Sequence, residues 1–363
     1  MGAYTTIDDS SAHFQTALFT GNGSTVVTVT NDGNSDLSPD LLWFKRRDAS
    51  VAHVIMDTTQ GANITSGNGP SGYNIPSNVN TKASQVADST GVMTITSDGF
   101  TSKEMTYAAG NVSTGSMCCW QWKMNGGTSS SNTDGNITST VQANTTAGQS
   151  IVTWTGNEQS AATIGHGLDK APETIIYKRG NSASYNWTAH LLQLGLVGSN
   201  TYVGYPNLTN SWEQTSLAAP TATVLKPGNG APQNSGNMFA YCFHSVQGYS
   251  KMGKYTGNGN SNGPFIATGF KPAFIYIKGN QANNWVIYDH KRPGYNAKNY
   301  EFYGNEPSAE YTGASYHNID ILSNGFKCKL TDPSINQNGK TYAYLAFAEN
   351  PFVSSTGVPT TAR

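Results

Sequence analysis

Residues 272–278 read Pro-Ala-Phe-Ile-Tyr-Ile-Lys, and the same pattern occurs three times in the chain. The other two stretches are residues 39–45, Pro-Asp-Leu-Leu-Trp-Phe-Lys, and residues 172–178, Pro-Glu-Thr-Ile-Ile-Tyr-Lys. Each stretch runs from a proline to a lysine and is mostly apolar in between. A short apolar run of this kind is typical of a strand that is covered on both faces. Because the pattern returns at long intervals, it indicates an internal repeat.

Other landmarks of the repeat accompany each of these stretches. An aromatic-Thr-Gly-Asn motif precedes each of them, at residues 19–22, 154–157 and 255–258. Glycine and asparagine tolerate positive φ, so this motif predicts a turn. After the lysine comes a second short apolar strand, which ends in Asp57 in the first copy and in Asp289 in the third; we align His190 with them in the second. Each copy then closes on an alternating aromatic strand, which predicts one buried face.

The repeat predicts an all-β fold of three tandem β-sandwich modules, of a jelly-roll or lectin-like kind. Short strands separated by frequent turn signals are typical of sandwiches, and about 100 residues can bury a core. We expect a flexible or extended linker before the second copy, a rigid pair of second and third copies, and terminal segments that are frayed unless they reach a neighbour. The boundaries are a docking arm at 1–13, copy 1 at 14–127, a Gly/Ser/Thr/Asn-rich linker at 128–147, copy 2 at 148–248, copy 3 at 249–353 and a tail at 354–363.

Composition excludes several classes of protein. The 363 residues include 21 Lys and Arg against 22 Asp and Glu, which gives a net charge of −1 and no global field for nucleic acid. No apolar stretch approaches the roughly 18 residues of a membrane-spanning helix, so we expect no membrane insertion. The 19 Tyr, 13 Phe and 7 Trp supply too much aromatic surface for a disordered chain. The first residues carry no secretory signal pattern, and we expect the cysteines to be reduced, buried thiols: Cys118, Cys119, Cys242 and Cys328.

The sequence contains no complete motif for a nucleotide, a metal or a catalytic nucleophile, so we expect no cofactor, no metal and no catalytic residue. The best candidates for ligand binding are aromatic residues in two loops, since exposed rings can stack on sugars. They are Tyr295, Tyr300, Tyr303, Tyr311 and Tyr316 in copy 3, and Tyr205 and Trp212 in copy 2. The alternative is that these rings line the edge of their own module or a contact between subunits.

A glycosidase would need two carboxylates roughly 5–10 Å apart across a cleft. The candidates in copy 3 are Glu301, Glu306, Glu310 and Asp320. The lysines at the ends of the three repeated strands, Lys45, Lys178 and Lys278, form another recurring set. They would be either a row of ligand-binding groups or, as we expect, structural residues that solvate the chain where it leaves the sheet.

The repeat resembles a β-rich module of unknown function that is found in structural proteins of marine bacteriophages. The resemblance lies in the aromatic-Thr-Gly-Asn turn, the Pro-to-Lys strand, the Gly-Phe pairs at 99–100 and 325–326, and the closing aromatic strands, and it extends over residues 14–353. Copy 2 departs most, since it lacks the Gly-Phe pair. The resemblance implies a virion structural protein of the tail or tail-fibre type and brings no catalytic residues.

We therefore expect a non-enzymatic bacteriophage virion protein, associated with the tail or tail fibre, that contacts a host-surface glycan or receptor. It would be assembled in the host cytoplasm, act as a homo-oligomer and bind other virion proteins but no nucleic acid. The alternative is a capsid decoration or vertex protein that docks through its N-terminal arm. A glycan depolymerase that uses the carboxylates of copy 3 is the third hypothesis.

Overall fold

A computed structural model of the chain describes residues 4–23, 26–60, 73–75, 93–102, 112–180, 185–196, 200–227, 236–294, 296–313 and 318–360. The described chain is nearly all β, in several antiparallel sheets, which confirms the prediction of an all-β chain. The exceptions are one short helix, α1 (Pro333–Asn336), and short 3-10 turns at Ser10–Ala12, Thr58–Gln60 and Leu192–Leu194.

The strands follow the repeat. Copy 1 contains β1 (Phe14–Thr20), β2 (Val27–Val29), β3 (Leu41–Arg46), β4 (His53–Asp57), β5 (Tyr73–Ile75), β6 (Met93–Ile95), β7 (Phe100–Ser102) and β8 (Ser116–Trp122). Between copies 1 and 2 lie β9 (Ser130–Asn132) and β10 (Ser139–Asn144). Copy 2 contains β11 (Gln149–Gly156), β12 (Ile164–Gly165), β13 (Thr174–Arg179), β14 (Thr188–Leu191), β15 (Thr201–Gly204), β16 (Glu213–Thr215), β17 (Val224–Leu225) and β18 (Gly236–Phe243). Copy 3 contains β19 (Ser250–Thr256), β20 (Phe265–Ala267), β21 (Phe270–Gly279), β22 (Val286–Asp289), β23 (Tyr300–Tyr303), β24 (Tyr311–Thr312), β25 (Ile319–Leu322), β26 (Gly325–Cys328) and β27 (Thr341–Pro351).

Each copy has a main sheet in which the same four strands lie side by side. The first strand pairs with the closing strand, which pairs with the Pro-to-Lys strand, which pairs with the second apolar strand. In copy 1 this order is β1-β8-β3-β4, in copy 2 it is β11-β18-β13-β14, and in copy 3 it is β19-β27-β21-β22. Each copy also has a smaller sheet, β2-β7-β6, β12-β17 or β20-β26-β25.

The two faces of each main sheet pack into different cores. Alternate residues of a strand point to opposite faces, so each Pro-to-Lys strand serves both. One face packs on residues of the copy's own smaller sheet, as Phe44 does with Phe100 in copy 1. The other face enters a central core that gathers residues of all three copies, among them Trp120, Tyr241 and Phe347. The sequence predicts modules that bury their own cores, and the structure adds a core common to all three.

The segments outside the predicted modules also pack on the rest of the chain. The stretch predicted as a linker contains β9 and β10, which extend the main sheet of copy 2. Thr5 and Ile7, in the predicted docking arm, are buried, and the hydroxyl of Tyr4 donates a hydrogen bond to the Gly269 carbonyl at 2.9 Å. Asp8 accepts a hydrogen bond from the backbone of Ser355. The described part of the arm thus lies against other parts of its own chain, including copy 3 and the tail.

Two sequence predictions of local structure are confirmed. The residue after the Thr-Gly-Asn motif has a positive φ in every copy, 62° at Gly23, 62° at Glu158 and 61° at Gly259. The backbone turn is therefore the same even where a glutamate takes the place of glycine. The cysteines are all buried and unpaired in disulfides.

Candidate functional site

The sequence-predicted aromatic residues lie in two equivalent loops, one in copy 2 and one in copy 3. Residues 202–207 and 300–305 share the pattern Tyr-x-x-Tyr-x-Asn. The strand pairs β14-β15 and β22-β23 have corresponding registers, which makes Tyr205 equivalent to Tyr303. We call residues 205–213 and 303–311 the clasp loops.

An asparagine fixes the start of each clasp loop. Asn207 accepts a hydrogen bond from the backbone N–H of Trp187 at 2.9 Å, and Asn305 does the same for Trp285 at 2.8 Å. A tryptophan followed by an asparagine 20 positions later is therefore a second sequence signature of the loop, besides the tyrosines.

The clasp loop of copy 2 lies on copy 3. The indole N–H of Trp285 donates to the Tyr205 carbonyl at 3.0 Å. The ammonium group of Lys278 donates to the Thr209 carbonyl at 2.9 Å. Trp212 packs against the central core. These contacts hold the loop between two copies of the repeat.

The clasp loop of copy 3 lies on copy 1 through the equivalent atoms. His53, which takes the place of Trp285, contacts the Tyr303 carbonyl through Nε2 at 3.1 Å. Trp43 donates to Nδ1 of His53, so Nε2 carries the proton and is the donor. Lys45 donates to the Pro307 carbonyl at 3.1 Å. The structure thus repeats one contact between successive copies.

The recurring lysines are buried, so the prediction that they solvate the chain end is wrong. Lys45, Lys178 and Lys278 are at most 3 % exposed. Lys178 donates to the Tyr185 carbonyl at 2.7 Å, as Lys278 donates to the Asn283 carbonyl. Burial lowers the pKa of Lys45 and of Lys278 to about 7 and that of Lys178 to about 8. The ammonium groups satisfy backbone carbonyls at loop ends, since a buried carbonyl needs a donor.

The aromatic candidates differ in how much of each ring is available to a ligand. Tyr311 is exposed and its ring centroid lies 4.5 Å from that of Tyr303, which is half-buried. Tyr300 is also half-buried. Tyr205 is half-buried and donates its hydroxyl to Glu213. Tyr295 and Tyr316 lie outside the described residues.

The carboxylates that the depolymerase hypothesis needs are engaged by other side chains of the chain. Glu301 is 2 % exposed and accepts from the hydroxyl of Tyr288 at 2.9 Å. Glu306 accepts from Ser308 at 3.1 Å and from Tyr311 at 3.3 Å.

The other two carboxylates form ion pairs. Asp320 pairs with Lys329 at 3.2 Å. Glu310 pairs with Arg47 of copy 1 at 2.9 Å and with Arg292 at 3.2 Å, and its side chain is 5 % exposed. Glu310 therefore joins the end of the clasp loop to copy 1.

A buried charged cluster at the same contact was missed from the sequence. Arg292 and Asp289 are both fully buried and form an ion pair at 2.5 Å. The Asp289 carboxylate also accepts from the indole N–H of Trp120, in copy 1, at 3.1 Å. Burial alone would raise the pKa of the Asp289 carboxyl, but the guanidinium of Arg292 outweighs this and holds the pKa below its usual value, so the carboxylate stays charged. The feature of the sequence that pointed to this cluster is Asp289, the aspartate at the end of the second apolar strand.

The equivalent aspartate of copy 1 also accepts a hydrogen bond from the next copy, whereas copy 2 has no aspartate at this position. Asp57 accepts from the hydroxyl of Tyr241, in copy 2, at 2.8 Å. Strand pairing aligns Leu191, rather than His190, with Asp57 and Asp289, so the sequence alignment of His190 is wrong by one position. Leu191 lies in the central core.

Among the described residues, no group of three or more His, Cys, Asp or Glu side chains is placed to hold a metal ion. Within the same residues, no helix has the length and apolar character needed to cross a membrane.

A family model, described as a domain of unknown function (DUF7483), matches residues 9–351. The match treats all three copies and the stretch between copies 1 and 2 as one unit. No curated protein and no solved structure matches the chain.

Proposed function

The chain belongs to the DUF7483 family, and we propose that it is a non-enzymatic structural protein of a bacteriophage particle. In this proposal it is associated with the tail or tail fibre, binds other virion proteins and contacts a glycan or receptor on the host surface. Each repeat copy acts as a β-sandwich unit, and the chain works as a homo-oligomer. The bacteriophage origin rests on the resemblance of the repeat motifs.

The observation that carries the proposal is that the candidate polar side chains bond to other residues of the same chain. The candidate carboxylates of copy 3 are engaged, and Glu310 joins two copies instead of facing a cleft. Side chains that hold copies together suit a protein with a mechanical role. This favours a structural protein over a depolymerase.

The surface aromatics support a role in glycan contact. Tyr311 is exposed, its ring neighbours that of Tyr303, and its hydroxyl bonds to Glu306. A ring face beside a carboxylate offers stacking and hydrogen bonding together. The alternative of a capsid protein that docks through its N-terminal arm has less support, since Thr5 and Ile7 are buried in the same chain.

The place of the protein is tested on purified particles of the phage that encodes it. We expect mass spectrometry to find the chain in intact particles, and an antibody label to place it at the tail in electron micrographs. Absence of the chain from purified particles would overturn the proposal. A label on the head would favour the capsid alternative.

Glycan contact is tested with host surface polysaccharide and purified protein. The variant Tyr311→Ala should weaken binding several-fold, because it removes the exposed ring. Phe265→Ala removes an exposed ring elsewhere in copy 3 and serves as the matched control. Equal binding by both variants would exclude the Tyr311 ring as a contact, and release of reducing sugar by the wild-type protein would revive the enzyme hypothesis.

A further inference from the structure

The contacts between successive copies form three equivalent seams, and one of them differs from the other two. In the seam between copies 3 and 1, β1 lies against β21 and β27, the Pro-to-Lys strand and the closing strand of copy 3. The strand registers align Asp40, Glu173 and Ala273, which each follow the repeated proline. They also align Thr16, Ile151 and Met252 on the first strands.

In two seams a carboxylate fills this position. Asp40 accepts hydrogen bonds from the backbone N–H groups of Met124, Gly126 and Gly127, at 2.7, 2.9 and 2.6 Å. Glu173 accepts from the backbone N–H of Ser245 at 2.6 Å. Each carboxylate thus binds backbone N–H groups near the end of its own copy, where the chain passes to the next copy.

The facing residues of these two seams are apolar. Ile151 and Met252 are buried in the central core. The sulfur of Met252 lies 3.8 Å from the hydroxyl oxygen of Ser245. In both seams a large buried apolar side chain therefore occupies the first-strand position.

The seam between copies 3 and 1 has neither the carboxylate nor the large apolar side chain at these two positions. Ala273 replaces the carboxylate, and Thr16 replaces the large apolar residue. A cleft with a volume of about 180 Å³ lies here, lined by these two residues and by Asp32, His290, Lys291 and Glu349. A water molecule occupies about 30 Å³ in the liquid, so the cleft has room for a molecule the size of a few waters, on the order of one sugar ring.

The cleft contains a polar group without a partner. Thr16 is 2 % exposed, and its hydroxyl makes no hydrogen bond among the described residues. A buried hydroxyl without a partner is costly, and a ligand or ordered water that bonds to it would remove that cost.

The charges around the cleft cancel in pairs. Lys291 pairs with Asp32 at 2.7 Å, and Lys271 pairs with Glu349 at 2.9 Å. The Nδ1 atom of His290 lies 3.1 Å from the Ala273 carbonyl, and burial lowers the pKa of this ring, which keeps it neutral near pH 7. A cleft with balanced charge and with both donors and acceptors suits a neutral ligand rich in hydroxyl groups.

We propose that the cleft between copies 3 and 1 binds one neutral sugar ring, with the Thr16 hydroxyl and the Glu349 carboxylate among its hydrogen-bonding partners. The inference rests on the proposed glycan contact for the source of the sugar, and it places the binding site in a seam rather than on the clasp loops. The ring is either a free hexose or the terminal residue of a glycan, since both offer the same hydroxyl groups.

The test uses saturation-transfer NMR on the full chain with a panel of free neutral hexoses and N-acetylhexosamines. We expect saturable binding of at least one sugar. Thr16→Ile copies the residue of copy 2, and Ala273→Asp copies that of copy 1, so each variant should weaken binding at least tenfold by closing the cleft. Thr155→Ile, an exposed position on β11, is the matched control and should bind as the wild-type protein does. Thermal melting establishes that each variant is folded, and Thr16→Ile tests the site even if Ala273→Asp does not fold.

The outcomes separate this inference from the proposed function. Absence of saturable binding to every sugar and to host polysaccharide, in a protein that is present in the particles, would overturn the cleft and the glycan contact while leaving the structural role. Polysaccharide binding that is unchanged in Thr16→Ile and lost in Tyr311→Ala would overturn the cleft alone. Binding of free hexose that is lost in Thr16→Ile supports the cleft whatever the location in the particle.

Discussion

The contact of copy 3 with copy 1 is charged at its centre, whereas the contact of copy 2 with copy 3 is apolar at the equivalent place. In the first, the Asp289 carboxylate pairs with Arg292 and accepts from Trp120. In the second, the equivalents of Asp289 and Trp120 are Leu191 and Leu345, both buried in the central core. Where one copy supplies a buried carboxylate, the next copy supplies a hydrogen-bond donor, and where the carboxylate is replaced by leucine the donor is replaced as well. The two sides of each contact are therefore matched.

The charged contact and the apolar contact differ in how they respond to a single substitution. Replacing both members of a buried polar pair by apolar groups can be nearly neutral, but removing one member leaves the other unsatisfied. The charged contact is therefore the more sensitive of the two to a single substitution.

The largest effect is expected for Arg292→Ala. The substitution leaves Asp289 buried without its guanidinium partner and removes one partner of Glu310. We expect a loss of about 3–5 kcal/mol in the free energy of unfolding, measured by urea denaturation. Arg46→Ala breaks an exposed pair with Asp48 and should cost less than about 1 kcal/mol. Similar losses for both variants would contradict the importance of the buried cluster.

Leu191→Asp tests the apolar contact, because it introduces the carboxyl group that Asp57 and Asp289 provide in the other two contacts. Because Leu345 offers no donor, the carboxyl would be buried without a partner, and we expect a loss of roughly 3 kcal/mol at pH 7. Burial would raise the pKa of this carboxyl in the folded state, so the loss should appear as the pH rises above about 4, the unfolded value. The second substitution Leu345→Tyr, which copies Tyr241, should recover part of the stability. A double variant no more stable than Leu191→Asp would argue against matched contacts.

The buried lysines give a pH dependence of the opposite kind. The folded pKa values of Lys45 and Lys278 are about 7, below the value of 10.5 for the free side chain. Between these values the unfolded chain binds more protons, so these groups make stability rise with pH from about 7 to about 10.5, by at most about 1.4 kcal/mol per pH unit for each lysine. Urea denaturation between pH 7 and 9 should give a smaller rise for Lys278→Met than for the wild-type chain. An unchanged slope would mean that Lys278 keeps its proton in the folded protein.

The smallest effect is expected for Glu158→Gly. Glu158 adopts a φ of 62°, where a side chain costs roughly 1 kcal/mol and glycine is favoured. Glycine also makes the unfolded chain more flexible, so the net gain should be under about 1 kcal/mol. The reverse change, Gly259→Glu, should destabilise the chain. Equal melting temperatures for the two variants would contradict the shared turn geometry.

Much of the fold could be predicted from the sequence because the repeat is visible in it. The apolar Pro-to-Lys runs became the centres of the main sheets, and the aromatic closing strands became their neighbours. The central core could not be predicted, because periodicity shows that a face is buried but not what covers it. The same limit applies to Lys45, which looks like a solvated strand end and in fact donates to a carbonyl of copy 3.

The candidate site was predicted in part. The clasp loops were found through their tyrosines, but their contacts with the next copy depend on backbone carbonyls, which carry no side-chain signal. The cleft between copies 3 and 1 depends on Ala273 and Thr16. Its only sequence trace is that Ala273 follows the repeated proline where the other copies have an acid.

Hydrogen exchange during urea denaturation shows whether the three repeat copies form one body around a common core. Peptides from β3, β13 and β21 report on the three main sheets separately. We expect the three sets of amides to lose protection at the same urea concentration, since each sheet buries one face in the central core. Three separate midpoints, with one copy protected after another has unfolded, would show that the copies are independent modules without a shared core.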